Sequence, residues 1–391
     1  MIYFDNAATS WPKPPSVAAA VQEQLAQAGG NPGRSGHRLS IAAARLVEEA
    51  REALACLFQV EDPSRIAFAP NATHALNLAL YALLRPGDRV VTTSMEHNAV
   101  MRPLRHLETR GVGVSCVRCE TDGSIDLGAV EEALRPGARL LVTTHASNVT
   151  GTIMPIGALA ALAPRYGARV VVDAAQTAGA SPIEVEALGV DVLAFTGHKG
   201  LFGPTGTGGL YVRQGVDLQP LVRGGTGSDS AREIQPDFMP DALESGTINV
   251  TGIAGLGAGV QFLDDVGIEA VRAHECALAV RFIAGVGAVP GVVVHGPADP
   301  ASRCGIVSFT VSGASPSEVG LLLDEQFGIL ARTGLHCAPA AHRTIGTFPD
   351  GTIRFSFGWF NTAGEVDTAV GAVREIAAWS ARKRPDIQWT V

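Results

Sequence analysis

The sequence predicts an α/β fold: a large domain built on a mainly parallel sheet, followed by a smaller α+β domain. Three observations carry this. From about residue 40 to 260, helical segments alternate with short apolar runs, the order of a parallel sheet wrapped by helices. Several runs are almost continuously β-branched, as in Arg169-Val170-Val171-Val172-Asp173, which suits strands buried on both faces. Beyond Gly255-Leu256-Gly257-Ala258-Gly259 the pattern changes to strands set between helices. The expected division is 15–257 for the large domain and 258–391 for the small one, with 1–14 packing near the site.

In chain order, residues 40–58 read as an amphipathic helix and 65–70 as a strand. Residues 75–84 form a largely buried helix, joined to that strand by Asn71-Ala72-Thr73. Strands follow at 89–92, 139–144, 169–173 and 191–195, then a helix near Gly255 that leads into the second domain. There, 305–311 and 352–357 read as strands. The glycine runs at 203–209 and 255–259 lack the G-x-G-x-x-G spacing in a strand-to-helix setting, which makes a nicotinamide site a poor reading.

Composition narrows the class. With 46% hydrophobic and 17% charged residues, 391 residues can bury a large core. The mean hydropathy is +0.20, yet no apolar run approaches the ~18 residues of a membrane span and no basic-then-apolar leader opens the chain. The expected location is the cytoplasm. A net charge of −8 argues against nucleic acid as a principal partner. Six cysteines are too few for a disulfide scaffold. Cys116 and Cys119 alternate along a strand-like segment and point apart, and Cys56 reads as a core residue. The ten histidines show no zinc spacing, so no metal is expected.

Chemistry begins with lysine. Only three of the 30 cationic side chains are lysines, and Lys199 stands in Thr196-Gly197-His198-Lys199-Gly200, just past an apolar strand. Unlike guanidinium, an amine can lose its proton and form a Schiff base. Lys13, in a proline-rich stretch, and Lys383, in a basic tail, read as solvated. Asp173 ends a strand and either points into a crevice or caps a following helix. A strand-end acid and a strand-end lysine together suit pyridoxal phosphate (PLP), which needs both a Schiff-base lysine and a partner for its ring nitrogen. The helix start at Ala72 and Thr73 is a natural anion site.

Asp173-x-x-Gln176, Thr196-Gly197-His198-Lys199 and Arg332-Thr333-Gly334-Leu335-His336-Cys337-Ala338 together resemble the class V aminotransferase-fold cysteine desulfurases. The branch they resemble has a short cysteine loop and is selenocysteine lyase-like. The resemblance runs from Tyr3-Phe4-Asp5-Asn6-Ala7-Ala8-Thr9 to the Arg354 region and implies a fold type I PLP enzyme. It implies that Lys199 holds PLP, Asp173 pairs with the pyridine nitrogen, Gln176 bonds the ring hydroxyl oxygen and His97 stacks on the ring. Ala72, Thr73, Thr196 and His198 would hold the phosphate. Thr247 would reach the phosphate of a neighbouring subunit, implying a homodimer. Asn148 and Arg354 would bind the substrate carboxylate; from the residues alone, Arg354 is equally a salt bridge between domains.

The implied reaction takes L-cysteine to L-alanine, with Cys337 accepting the sulfur as a persulfide. Arg332 and His336 either stabilise the thiolate or are solvated loop residues. The Asn31–His37 loop, with Arg34 and His37, resembles an entrance segment. Leu335 and the residues 340–346 depart from the pattern of the nearest relatives, which bears on the persulfide step and on the sulfur-acceptor protein. The alternatives are L-selenocysteine as substrate, a C–S lyase, an aminotransferase, or a silent scaffold of the same fold.

Overall fold

The computed structural model describes residues 1–27, 29–33, 36–229 and 231–382. Among the described residues, seven strands form the large sheet. Their order is Ile66–Ala69, Gly208–Val212, Val192–Thr196, Arg169–Asp173, Leu140–Thr144, Arg89–Thr93, Gly113–Val117. The last five run parallel to one another. Gly208–Val212 is antiparallel to both of its neighbours.

The β-branched runs are continuous because both faces are covered. Val170 and Val172 enter one apolar cluster together with Leu141 and Leu193, while Val171 enters another with Val142 and Ala194. The common direction of the parallel strands brings their C-terminal ends, Thr93, Thr144, Asp173 and Thr196, to one edge, where open α/β sheets bind ligands. The antiparallel strand was not foreseen, because its first residues lie inside the glycine run. Those glycines are there for close approach. A Cβ on Gly208 would stand 2.7 Å from the Phe195 carbonyl oxygen and 2.9 Å from the Asn71 Cα.

The smaller sheet is antiparallel, in the order Arg332–Gly334, Thr352–Ser356, Ile306–Val311, Val292–His295. Phe282, Phe309 and Phe355 fill its core. Phe4 joins them, and Ile2–Tyr3 pairs in parallel with Ile329–Leu330. The start of the chain is thus built into the C-terminal part of the fold. The helix Val250–Val266 is continuous through residue 257 and packs on the helices Pro15–Gln27 and Arg38–Phe58.

Three expectations need correction or placement. Cys56 is exposed on its helix rather than in the core. Cys119 is buried just beyond the strand that carries Cys116. Lys383 lies outside the described residues. Among the described residues, no helix is long and apolar enough to cross a membrane.

Candidate active site

A cavity of about 210 Å³ opens at the C-terminal edge of the large sheet. Lys199, Asp173, His97, Thr196 and Arg354 all line it. Lys199 follows the strand Val192–Thr196 by three residues. Its side chain keeps some surface open to the cavity but is otherwise enclosed by protein. Burial lowers its pKa to about 8, with the guanidinium groups of Arg354 and Arg332 adding to the fall and the Asp173 carboxylate opposing it.

Asp173 is 4% exposed and accepts one backbone hydrogen bond, from Ala175 at 3.0 Å. Burial raises its pKa, while the Ala175 bond and the Lys199 ammonium pull it down. A carboxylate so placed is completed by a cationic N–H facing it. Asp173 therefore lines the cavity; its backbone bond closes a local turn, and residues 174–180 are not the helix that the capping reading expected.

His97 precedes the helix Asn98–Glu108 and caps it, its Nδ1 accepting from the Ala99 N–H at 3.0 Å. Burial lowers its pKa to about 4, helped by the Lys199 cation, so the ring is neutral with its proton on Nε2. Beside it Glu96 is fully buried. It accepts from the Thr93 hydroxyl at 2.6 Å and the Thr144 N–H at 3.1 Å, and burial raises its pKa to about 8. No reading of the sequence singled out Glu96; its place immediately before His97 was the available signal.

Asn71, also lining the cavity, caps the helix Ala72–Leu83, accepting from the His74 N–H. The N–H groups of Ala72 and Thr73 are left without intrahelical partners. Thr196 Oγ1 and His198 Nδ1 are buried and have no hydrogen-bond partner among the described residues. Burial first, then Lys199 and Lys13, lowers the His198 pKa to about 4. Unpaired polar atoms around a helix start are what a phosphate would satisfy. Gln176 lies between, its Nε2 donating to the Ala7 carbonyl at 3.3 Å. The donor set fits PLP: an amine, a buried acid, a flat neutral ring and a phosphate cradle.

The other wall is electropositive. Arg354 and Arg332 face each other on adjacent antiparallel strands, a like-charge pair that costs stability unless anions offset it. Arg354 is fully buried, donating to the Asn148 carbonyl at 3.0 Å and to the Asp5 carboxylate at 2.8 Å. It is therefore both a cavity residue and a bridge to the N-terminal segment; Asp5 was not anticipated. Asn148 Nδ2 donates to the His336 carbonyl at 2.6 Å, and Asn98 N–H to the Cys337 carbonyl at 2.8 Å. These bonds hold the cysteine loop against the large domain. Cys337 is exposed, with φ +58, and Arg332 donates to its sulfur at 3.4 Å.

The comparisons with known proteins agree with this geometry. Residues 2–369 match the Aminotransferase class-V family. The chain belongs to the class-V aminotransferase family. Within that family it is 35% identical over 383 residues to a probable cysteine desulfurase of Methanothermobacter thermautotrophicus, covering 96% of this chain and 94% of that one. It superposes on an apo cysteine desulfurase from Thermococcus onnurineus with a TM-score of 0.90 at 34% identity, covering 97% and 95% of the two chains. A cysteine desulfurase from Escherichia coli gives a TM-score of 0.86 at 30% identity, over 96% and 94%. The large, mostly parallel sheet and small second sheet are thus the class-V aminotransferase, or fold type I, architecture.

Some expected residues stand apart from this class-V cavity. His336 is 2% exposed, not a solvated loop residue. Its Nε2 is 2.9 Å from the Thr352 hydroxyl, and burial lowers its pKa to about 2, so it brings no positive charge to the thiol. His37 caps the helix Arg38–Phe58 by accepting from the Ser40 N–H at 3.2 Å. Arg34 lies outside the described residues. Thr247 is exposed and away from the Lys199 cavity, accepting from Asn31 Nδ2 at 3.4 Å. Lys13 is half-buried rather than solvated, its Nζ donating to Ser10 Oγ at 2.7 Å and to the His198 carbonyl at 2.8 Å.

Proposed function

We propose that the protein is a PLP-dependent cysteine desulfurase that converts L-cysteine to L-alanine and leaves the sulfur as a persulfide on Cys337. The observation that carries this is a thiol in contact with an arginine of the cavity: Cys337 touches Arg332, which shares a cavity with Lys199 and Arg354. A simple aminotransferase has no use for a reactive thiol there.

PLP, when bound, supplies the electron sink that makes the α-proton of the amino acid removable and its side-chain sulfur available for transfer. In this reading Lys199 anchors PLP, Asp173 faces its ring nitrogen, Gln176 its ring hydroxyl and His97 its flat face. Ala72, Thr73, Thr196 and His198 receive the phosphate. Arg354 takes the substrate carboxylate through its fork, with Asn148 fixing one of its nitrogens from the backbone. With PLP held there, the Lys199 amine would be the group that moves the α-proton. Cys337 as thiolate attacks the substrate sulfur: the sulfur–sulfur bond forms, the carbon–sulfur bond breaks, and the carbon takes a proton to leave as alanine. The guanidinium of Arg332 lies against the sulfur that makes this attack. Exposure of Cys337 then opens the persulfide to a sulfur-acceptor protein.

A twofold homodimer belongs to the same proposal. In this reading Thr247, exposed and outside its own chain's cavity, serves a neighbour's phosphate; Leu221, Val222 and Phe238 of the same long loop expose apolar surface that a partner would cover. PLP affinity should then fall as the protein dissociates; sedimentation at decreasing concentration, read beside cofactor occupancy, finds a fully competent monomer if the idea is wrong. The described residues' free cysteines suit a reducing compartment, the cytoplasm.

The decisive experiment is anaerobic reaction with L-cysteine, with alanine quantified and persulfide mapped by peptide mass spectrometry. Cys337→Ser should bind PLP and L-cysteine yet release almost no alanine, since a hydroxyl cannot accept sulfur. Sustained alanine release from that variant would show that the nucleophile is misassigned: persulfide on Cys116 or Cys119 would move it there, and persulfide nowhere would favour a direct C–S lyase. Parallel reactions with L-selenocysteine and with a keto acid separate the selenocysteine and aminotransferase readings.

A further inference from the structure

The carbonyl of His198 is where the N-terminal segment converges. The Ser10 N–H donates to it at 3.0 Å, the Thr9 hydroxyl at 3.0 Å and the Lys13 ammonium at 2.8 Å. Lys13 also donates to Ser10 Oγ at 2.7 Å, and that hydroxyl in turn donates to the Lys199 carbonyl at 2.8 Å. A carbonyl oxygen has two lone pairs, so three donors on one and a relay to the next exceed what satisfying the backbone requires. The turn itself closes without this help, through the Phe202 N–H to the Lys199 carbonyl and the Gly203 N–H to the Gly197 carbonyl.

The contact is also costly. Burial alone acts on the Lys13 ammonium, lowering its pKa to about 8, with no carboxylate offsetting it. A chain that uses arginine for nearly every cation keeps a lysine here, where a compact ammonium can sit between a hydroxyl and a carbonyl and a planar fork fits less well.

We propose that Lys13 is a positioning residue for Lys199: with Thr9 and Ser10 it clamps the two peptide carbonyls that flank the Lys199 Cα. Fixing both peptide planes fixes φ and ψ of Lys199 and hence the direction of its Cα–Cβ bond, from which the amine must reach the cavity. The clamp is itself tethered. The Tyr3 hydroxyl donates to the Thr9 carbonyl at 2.9 Å, and Asp5 pairs with Arg354 at 2.8 Å, so the segment spans from the small sheet to the lysine turn. The inference rests on reading Lys199 as the PLP anchor, not on the identity of the substrate.

The test uses the full chain with Lys13→Met, which keeps the apolar stem, and Lys13→Arg, which restores a cationic donor. Without L-cysteine present, the rate at which added PLP becomes borohydride-fixed to Lys199 should fall about tenfold in Lys13→Met through misplacement of the amine, and Lys13→Arg, a cationic donor of poorer fit, should recover part of it. In turnover, kcat should fall about tenfold while KM for L-cysteine moves by less than about threefold, the split expected when the chemistry is misaligned rather than binding. Wild-type fixation by Lys13→Met overturns the proposal. So does a parallel loss of fixation and melting temperature in both variants, which would mark Lys13 as packing alone. If Lys13→Met does not fold, Ser10→Ala carries the test, since it cuts the relay to the Lys199 carbonyl; unchanged fixation there overturns the proposal equally. Failure of the desulfurase reading would leave fixation slowed but yield no alanine from the parent protein, so the two outcomes are distinguishable.

Discussion

Lys199 and Cys337 occupy opposite kinds of site. The backbone around Lys199 is held by hydrogen bonds from a segment some 185 residues away in sequence, and its amine is enclosed beside a buried carboxylate. Cys337 stands exposed at positive φ, its sulfur contacting Arg332 and its carbonyl held by Asn98. The contrast suits the roles proposed for each. An amine that forms and breaks a covalent bond to a cofactor works best dry, with its proton weakly held and its direction fixed. A thiol that takes sulfur from inside and hands it outward must be reached from both sides. The left-handed backbone of His336 and Cys337 is uncommon for residues with a Cβ, and it turns the cysteine outward at the end of the Arg332–Gly334 strand.

The largest effect expected at the buried end is that of Lys199→Ala, which should abolish alanine formation while the phosphate cradle still retains PLP noncovalently. Wild-type turnover from this variant would remove Lys199 from the chemistry. The depressed pKa adds a sign. Below about 8 the amine is protonated and cannot attack a carbonyl, so attachment of PLP to the cofactor-free protein should accelerate as pH rises through that value. A rate that falls over the same interval would contradict the assignment.

Asp173→Asn should come next. It is nearly isosteric but removes the charge that would stabilise a cationic ring nitrogen. A dry electrostatic contact worth roughly 3 kcal/mol predicts a loss on the order of 10²-fold in alanine formation with PLP still bound. Activity within a factor of about two of the parent would mean the carboxylate serves mainly its backbone bond to Ala175.

The same contrast explains what the sequence disclosed. Lys199 and Asp173 were legible because each sits at or just beyond a strand's C-terminal end, a position that local hydrophobic patterning defines. The helix start at Ala72 and Thr73 was legible for the same reason. Lys13 was not. Its proline-rich surroundings read as solvated, and its burial exists only because the chain brings His198 to it. His336 was misread through its neighbour: adjacency to a reactive cysteine suggests a charge, but its ring packs inward on Thr352 of the next strand. The Asp5–Arg354 pair was half visible, since an arginine on a strand suggests an ion pair without naming the partner 349 residues away. Placement that depends on position along one element was readable; placement that depends on a second element was not.

Arg332 offers the smallest expected effect and the sharpest test of the exposed end. Its guanidinium is 3.4 Å from the Cys337 sulfur and also lines the Lys199 cavity, so it either favours the thiolate or serves the substrate directly. Arg332→Met keeps much of the packing and deletes the charge. Because the thiolate is the reactive form, the rate of Cys337 alkylation by iodoacetamide at neutral pH, measured without substrate, should fall severalfold, roughly what one partly screened charge contributes. Alanine formation should fall by a similar factor, with PLP occupancy unchanged. If alkylation is unaffected while KM for L-cysteine rises about tenfold, Arg332 belongs with Arg354 in holding the substrate. The exposed end would then consist of a thiol presented by backbone geometry alone, with its neighbouring cation turned toward the cavity.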